Sequence, residues 1–119
     1  MPAGRLAGVR PGRAAFGAVV VVSLVVLFAP ASDVPSAPPG VDKMVHAVLF
    51  LALAVTGRWA GLRAAVLLPA LVAYAAGSEV VQGLSGLGRT ASVFDWAADV
   101  AGLLGGVVLW AWLAGPARR

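Results

Sequence analysis

Apolar residues occur along this chain in four long runs, separated by shorter segments rich in proline, glycine or charged residues. The runs cover residues 14–31, 42–57, 62–82 and 92–114. A helix needs about 20 residues to cross a bilayer, and each run approaches or reaches that length. The pattern therefore predicts four membrane helices, the third of them kinked at Pro69.

Composition supports a membrane environment. Hydrophobic residues make up 61% of the chain and charged residues only 12%, whereas soluble domains average roughly 45 to 50% and about 25%. Four spans leave no room for a second domain, so we expect a single all-α domain over residues 1–119, a polytopic bundle of four transmembrane helices. The absence of cysteine excludes disulfides, thiolate catalysis and cysteine zinc sites.

The first run has a second interpretation. Arg5, Arg10 and Arg13 precede it like the basic region of a secretory signal, and residues 29–31 resemble a cleavage site. A retained first helix and a cleaved signal are both compatible with this pattern. Residues 32–40 contain three prolines and are expected to form an extracytoplasmic loop.

The distribution of charge predicts the orientation. One side of the predicted bundle carries only positive charges, which the positive-inside rule places in the cytoplasm together with both tails, 1–13 and 115–119. The acidic residues and the single histidine belong to the other side. The net charge of +4 thus reflects topology, and no nucleic-acid partner is expected. The cytoplasmic charges are Arg5, Arg10, Arg13, Arg58, Arg63, Arg118 and Arg119.

Polar residues at the ends of the second and third helices have helical spacing. Asp42 and His46 are four residues apart, which places them on one face at the start of the second helix, with Lys43 beside them. Glu79 and Gln82 share a face at the end of the third helix. Because alternating topology brings these two helix ends to the same side, the two polar faces are expected to lie close together.

The fourth helix carries a matching stripe. Arg89 and Ser92 precede it, and Asp95 and Asp99 follow on one face. Asp99 lies about 10 Å along the helix from Ser92, where an ionised carboxylate facing lipid would cost about 2.5 to 3.5 kcal/mol. We therefore expect a polar pocket that opens outward. Its members are predicted to be Asp42, Lys43, His46, Glu79, Gln82, Arg89, Ser92, Asp95 and Asp99.

The stripe on the fourth helix continues with Gly102 and Gly106. Their G-x-x-x-G spacing allows helix backbones to approach closely in lipid. We expect them to pack the fourth helix against the second or third rather than to form part of the pocket.

Each polar residue also has a purely structural interpretation. Asp42 can cap the second helix, and Ser92 with Asp95 resembles a capping box. Lys43 can extend to the interface with its charge in water. A single histidine such as His46 is usually a hydrogen-bonded structural group. Only the polar residues near it favour a functional role.

Three motifs together resemble a known family. The sequences D-K-x-x-H, E-x-x-Q and R-x-x-S-x-x-D-x-x-x-D-x-x-G, spread over residues 42–106, are similar to those of the VanZ-like family of small bacterial membrane proteins. The resemblance implies a multi-pass protein of the bacterial cell membrane, in a family whose founding member is associated with low-level teicoplanin resistance. It implies no established reaction. The family often has asparagine where this chain has Asp99.

Three classes of function fit the predicted pocket. The first is an enzyme or a binding site for the headgroup of a lipid or cell-wall precursor, with membrane lipids as further partners. The second is a non-catalytic helper protein whose charged cluster only packs the bundle. The third is a small transporter that acts as an oligomer, the oligomeric state being left open. Acid–base catalysis would fall to His46, Glu79, Asp95 and Asp99.

No cofactor is expected from the sequence. A divalent metal on the four acid–base candidates is the less favoured alternative, and oxygen-rich ligation would suit magnesium or manganese better than zinc.

Overall fold

The computed structural model describes residues 3–28, 40–84 and 93–115, without the side chains of residues 3–9 and 42. These residues form four α-helices, and the described part of the chain contains no strand. The prediction of an all-α protein is confirmed. The helices are α1 (Ala3–Phe28), α2 (Val41–Trp59), α3 (Ala64–Leu84) and α4 (Val93–Ala114).

The bounds of α2, α3 and α4 fall close to the predicted ones, but the prediction for the first helix is wrong at its beginning. Helix α1 begins at Ala3, not at residue 14, and continues through Arg10, Pro11 and Arg13. The predicted boundary marked the beginning of the uncharged run, but the residues before it include alanine and arginine, which are both favourable helix formers. The segment predicted as an N-terminal tail is therefore helical from Ala3 onward.

Three of the helices are long and apolar enough to cross a membrane: Arg10–Phe28 within α1, Ala64–Leu84 and Val93–Ala114. Helix α2 differs because Asp42, Lys43 and Arg58 place three charges within its 19 residues. The chain is thus compatible with a multi-pass membrane protein.

Backbone geometry explains where α2 begins and ends. Gly40 has a φ of 90° and precedes the helix, and its carbonyl accepts a hydrogen bond from the Met44 amide at 3.1 Å. At the other end Gly61 has a φ of 94°, and the Leu62 amide donates to the Gly57 carbonyl at 3.0 Å. This glycine-terminated motif reverses the chain within a few residues. As a result α3 returns alongside α2.

Helix α2 lies at the centre of the bundle, and its most extensive contact is with α4. A Cβ atom on Gly102 would overlap the Ala47 carbonyl group, and one on Gly106 would lie 2.5 Å from the Leu51 carbonyl oxygen. The two glycines therefore let α4 approach the α2 backbone more closely than any side chain would allow.

Apolar side chains fill the interior and also cover the outside. Leu27, Phe50, Leu53 and Leu103 are fully buried. Outward-facing residues are also apolar; Val108, for example, is 68% exposed. An apolar outer surface on a helical bundle is typical of proteins that contact lipid.

Candidate functional site

Three helices each contribute one ionisable side chain to a single buried point. His46 comes from the second turn of α2, Glu79 from the last turns of α3 and Asp99 from the second turn of α4. The His46 Nδ1 atom lies 2.8 Å from Asp99 Oδ1 and 3.9 Å from Glu79 Oε1. These three residues are called the cluster below.

The cluster is closed off from solvent. The exposed fractions are 2% for His46, 5% for Glu79 and 0% for Asp99. An Nδ1–H group of His46 that donates to the Asp99 carboxylate accounts for the 2.8 Å contact. Such a bond fixes the orientation of the imidazole ring and offsets part of the free energy needed to bury the polar groups.

The depth of the cluster is the same on all three helices. His46 is five residues from the start of α2, Glu79 five from the end of α3 and Asp99 six from the start of α4. At 1.5 Å per residue, each lies about 8 to 9 Å inside its helix end. This shared depth is why the three side chains can meet, since the short α2–α3 connection makes these two helices antiparallel.

An ion pair lies one turn nearer the helix ends. Lys43 Nζ is 3.2 Å from Asp95 Oδ1, and the two side chains are 49% and 13% exposed. Lys43 precedes His46 by three residues and Asp95 precedes Asp99 by four, so the pair lies on the same helix faces as the cluster. Polar groups therefore continue from the cluster toward the surface.

Gln82 connects this region to α1. It is 2% exposed, and its Nε2 group donates a hydrogen bond to the Leu27 carbonyl in the last turn of α1. The sequence placed Gln82 in the pocket with the acids. The described hydrogen bond joins α3 to α1.

Some of the residues predicted for the pocket lie outside the described part of the chain. These are Arg89 and Ser92, together with the side chain of Asp42. Of the predicted set, the structure brings together His46, Glu79 and Asp99, and it places Lys43 and Asp95 beside them.

One buried polar pair is absent from the sequence prediction. Ser23 is fully buried in α1, and its hydroxyl lies 2.8 Å from the hydroxyl of Tyr74 in α3. Ser23 is the one polar residue in the apolar run of α1, and Tyr74 is the only tyrosine in the chain. A polar residue isolated in a span needs a partner in lipid, so this was the available signal.

Ser78 is a further buried polar residue of α3. Its hydroxyl is buried and donates to the Ala75 carbonyl at 2.9 Å, within its own helix. This is a common local arrangement for serine in helices. The chemistry available to the described residues therefore centres on the cluster, which combines an imidazole for proton transfer with two carboxylates that accept protons or bind cations.

Comparisons of the chain with protein-family models, with curated proteins and with solved structures find no match. The functional interpretation therefore depends on the residues and the geometry described above.

Proposed function

We propose that this protein is a VanZ-like multi-pass protein of the bacterial cell membrane whose polar pocket binds or modifies the headgroup of a lipid or cell-wall precursor. The observation that carries the proposal is the convergence of His46, Glu79 and Asp99 from three helices at one end of an apolar bundle. Ionisable residues inside membrane segments are costly, and they commonly mark functional sites.

The proposal includes α2 as a fourth span. Its 19 residues correspond to about 28 Å of helix, close to the hydrocarbon thickness of about 30 Å. Its charges lie near its two ends, Asp42 and Lys43 at one and Arg58 at the other. Long lysine and arginine side chains in such positions reach the interface. Packing supports the same conclusion, because α2 contacts all three candidate spans.

The pocket is proposed to face the extracytoplasmic side. Gly12 of α1 lies against the Trp59 carbonyl of α2, so Arg10 and Arg13 are brought to the end of the bundle that carries Arg58. This end is opposite the cluster along α2. The positive-inside rule places the arginine-rich end, and with it both termini, in the cytoplasm.

The polar groups suit the proposed ligand in two ways. The cluster supplies an imidazole and carboxylates, which support acid–base chemistry on a bound headgroup. Lys43 is half exposed at the entrance and paired with Asp95, and it would exchange this partner for a phosphate or carboxylate of the ligand. Arg89 is the second basic residue that we propose for this entrance.

Mass-spectrometric profiling of lipids and cell-wall precursors tests the proposal. Cells that produce the protein are compared with cells that produce Glu79→Gln, which keeps the shape of the side chain. Thr56→Val is the matched control, because its hydroxyl donates to the Ala52 carbonyl far from the cluster. We expect the unchanged protein to alter the amount of one headgroup class. Thr56→Val should cause the same alteration, and Glu79→Gln, at an equal protein level, should not. Profiles that do not depend on the protein would contradict the proposal.

Burial favours a second candidate, a structural helper protein. Asp99 is fully buried and His46 nearly so, which is also what a cluster that only joins helices would show. In that case Glu79→Gln and His46→Ala lower thermal stability in detergent. The precursor profile and the teicoplanin susceptibility of cells are then the same with and without the protein.

A further inference from the structure

Each cluster residue offers one ligand atom, and these three atoms all lie within 4.8 Å of one another. We infer that His46, Glu79 and Asp99 form a binding site for a divalent metal ion, with Mn²⁺ the ion that their donor set fits best. The inference concerns the pocket of the proposed function and deepens it, but metal binding by the purified protein can be measured without any headgroup ligand.

The distances between the ligand atoms suit a metal ion. A divalent first-row ion or magnesium lies about 2.1 Å from each nitrogen or oxygen ligand, which places adjacent ligand atoms about 3 Å apart and opposite ones about 4.2 Å apart. The contacts from His46 Nδ1 measure 2.8 Å to Asp99 and 3.9 Å to Glu79. Small side-chain rotations are therefore enough to place all three atoms around one ion.

The ligand types narrow the choice of ion. Two carboxylates and one imidazole make a mixed oxygen and nitrogen site. Carboxylates suit magnesium, calcium and manganese, whereas imidazole suits the transition metals. Mn²⁺ satisfies both preferences. Three protein ligands also leave coordination positions open, as in metal sites that bind a further ligand.

The scaffold holds the ligands in place before any ion arrives. The three side chains come from three helices at one depth, and the close contact of Gly102 with Ala47 lies one turn below Asp99. Ligands fixed on packed helices lose little freedom when an ion binds. Binding through Nδ1 would require the proton of the His46–Asp99 hydrogen bond to leave this nitrogen: in a neutral ring it would be replaced by a proton on Nε2, and only an imidazolium would lose a proton to solvent.

Asp95 is excluded from this site. The sequence grouped it with the other three as a candidate ligand, but its carboxylate is paired with Lys43 at 3.2 Å nearer the surface. Asp95→Asn is therefore a matched control for changes of Glu79, because both replace a carboxylate by an amide in the same part of the bundle.

The test uses the full chain, purified in detergent and freed of its affinity tag and of metal. Mn²⁺ is then titrated and bound ion is measured by electron paramagnetic resonance and by elemental analysis. We expect one Mn²⁺ per chain, a higher melting temperature with the ion, and binding at least roughly tenfold weaker in Glu79→Gln. Asp95→Asn should bind like the unchanged protein. Equal binding by Glu79→Gln, or none by the folded unchanged protein, would refute the site.

A spectroscopic measurement on the unchanged chain covers the case in which Glu79→Gln does not fold. His46 is the only histidine, so coupling of the Mn²⁺ spin to an imidazole nitrogen, altered by ¹⁵N-histidine labelling, can come from this residue alone. Bound Mn²⁺ without that coupling would contradict the proposed ligand set. Failure of precursor profiling together with positive metal binding would overturn the headgroup function and leave the metal site standing.

Discussion

The α2–α4 interface and the contact between α1 and α3 both bury polar side chains, but they do so differently. Between α2 and α4, two glycines bring the backbones together, and His46 meets Asp99 at 2.8 Å. Between α1 and α3 the contacts are fewer, and the described polar links are neutral: the hydroxyl pair of Ser23 and Tyr74, and the hydrogen bond from Gln82 to the Leu27 carbonyl. Neutral hydrogen bonds are sufficient to join helices in lipid. The ionisable groups His46 and Asp99 at the tighter α2–α4 interface therefore indicate a role beyond holding the helices together.

The largest effect is expected at the glycines of α4. Gly102→Ala would overlap the Ala47 carbonyl group, and such overpacking destabilises by about 3 kcal/mol at the upper end of its usual range. Gly105→Ala is the control, because its Cβ would lie 4.0 Å from the nearest side-chain atom. Thermal unfolding in detergent should show a much lower midpoint for Gly102→Ala only. Similar midpoints for the two variants would contradict the tight α2–α4 interface.

Asp99 should show the next largest effect. Asp99→Leu leaves the His46 imidazole without this acceptor in a buried position, at an expected loss of about 2 kcal/mol. Asp99→Asn keeps an acceptor oxygen and should lose less than half of that. The comparison of the two variants by chemical unfolding in mild detergent checks this order. A milder effect of leucine than of asparagine would show that the cluster is not held by this hydrogen bond.

At the α1–α3 contact the expected effect is smaller. Tyr74→Phe removes the hydroxyl that meets Ser23 but keeps the ring against Phe50, where the centroids are 5.7 Å apart. Hydrogen bonds between membrane helices average about 0.6 kcal/mol, and we expect a loss of that size. A loss as large as that of Asp99→Leu would remove the difference between the two regions. Free energies of unfolding for Tyr74→Phe and Asp99→Leu, measured in the same assay, test this prediction.

The helix bounds and the polar faces of the helices could be predicted largely from the sequence. Apolar runs located α2, α3 and α4 well, but the start of α1 was missed because the charge-free run begins only at residue 14, after the helix has already begun at Ala3. Helical spacing put Asp95 and Asp99 on one face and His46 one turn after Asp42, since spacing depends only on helix geometry.

Which neighbour a face meets depends on packing, and spacing does not contain that information. Gln82 has the spacing of a pocket residue, yet its described hydrogen bond reaches Leu27 of α1. The pairing of Ser23 with Tyr74, across 51 positions of sequence, also follows only from the way α1 lies on α3. Long-range pairs of this kind need the three-dimensional arrangement of the helices.

The smallest effect on stability is expected at the ion pair of Lys43 with Asp95, which is the proposed entrance to the pocket. Lys43→Gln breaks an ion pair whose lysine side chain is 49% exposed, and such pairs contribute about 0 to 1 kcal/mol because water and salt screen them. Because half of the lysine side chain is in water, we expect a loss in the lower half of that range, and so a smaller change in the unfolding midpoint than in Tyr74→Phe. If Lys43 also contacts an anionic headgroup, the same variant should weaken the protein-dependent change in the precursor profile despite its normal stability. If stability is lost while the change in the precursor profile remains, Lys43 belongs to the residues that hold the helices together, and it has no part in the proposed entrance.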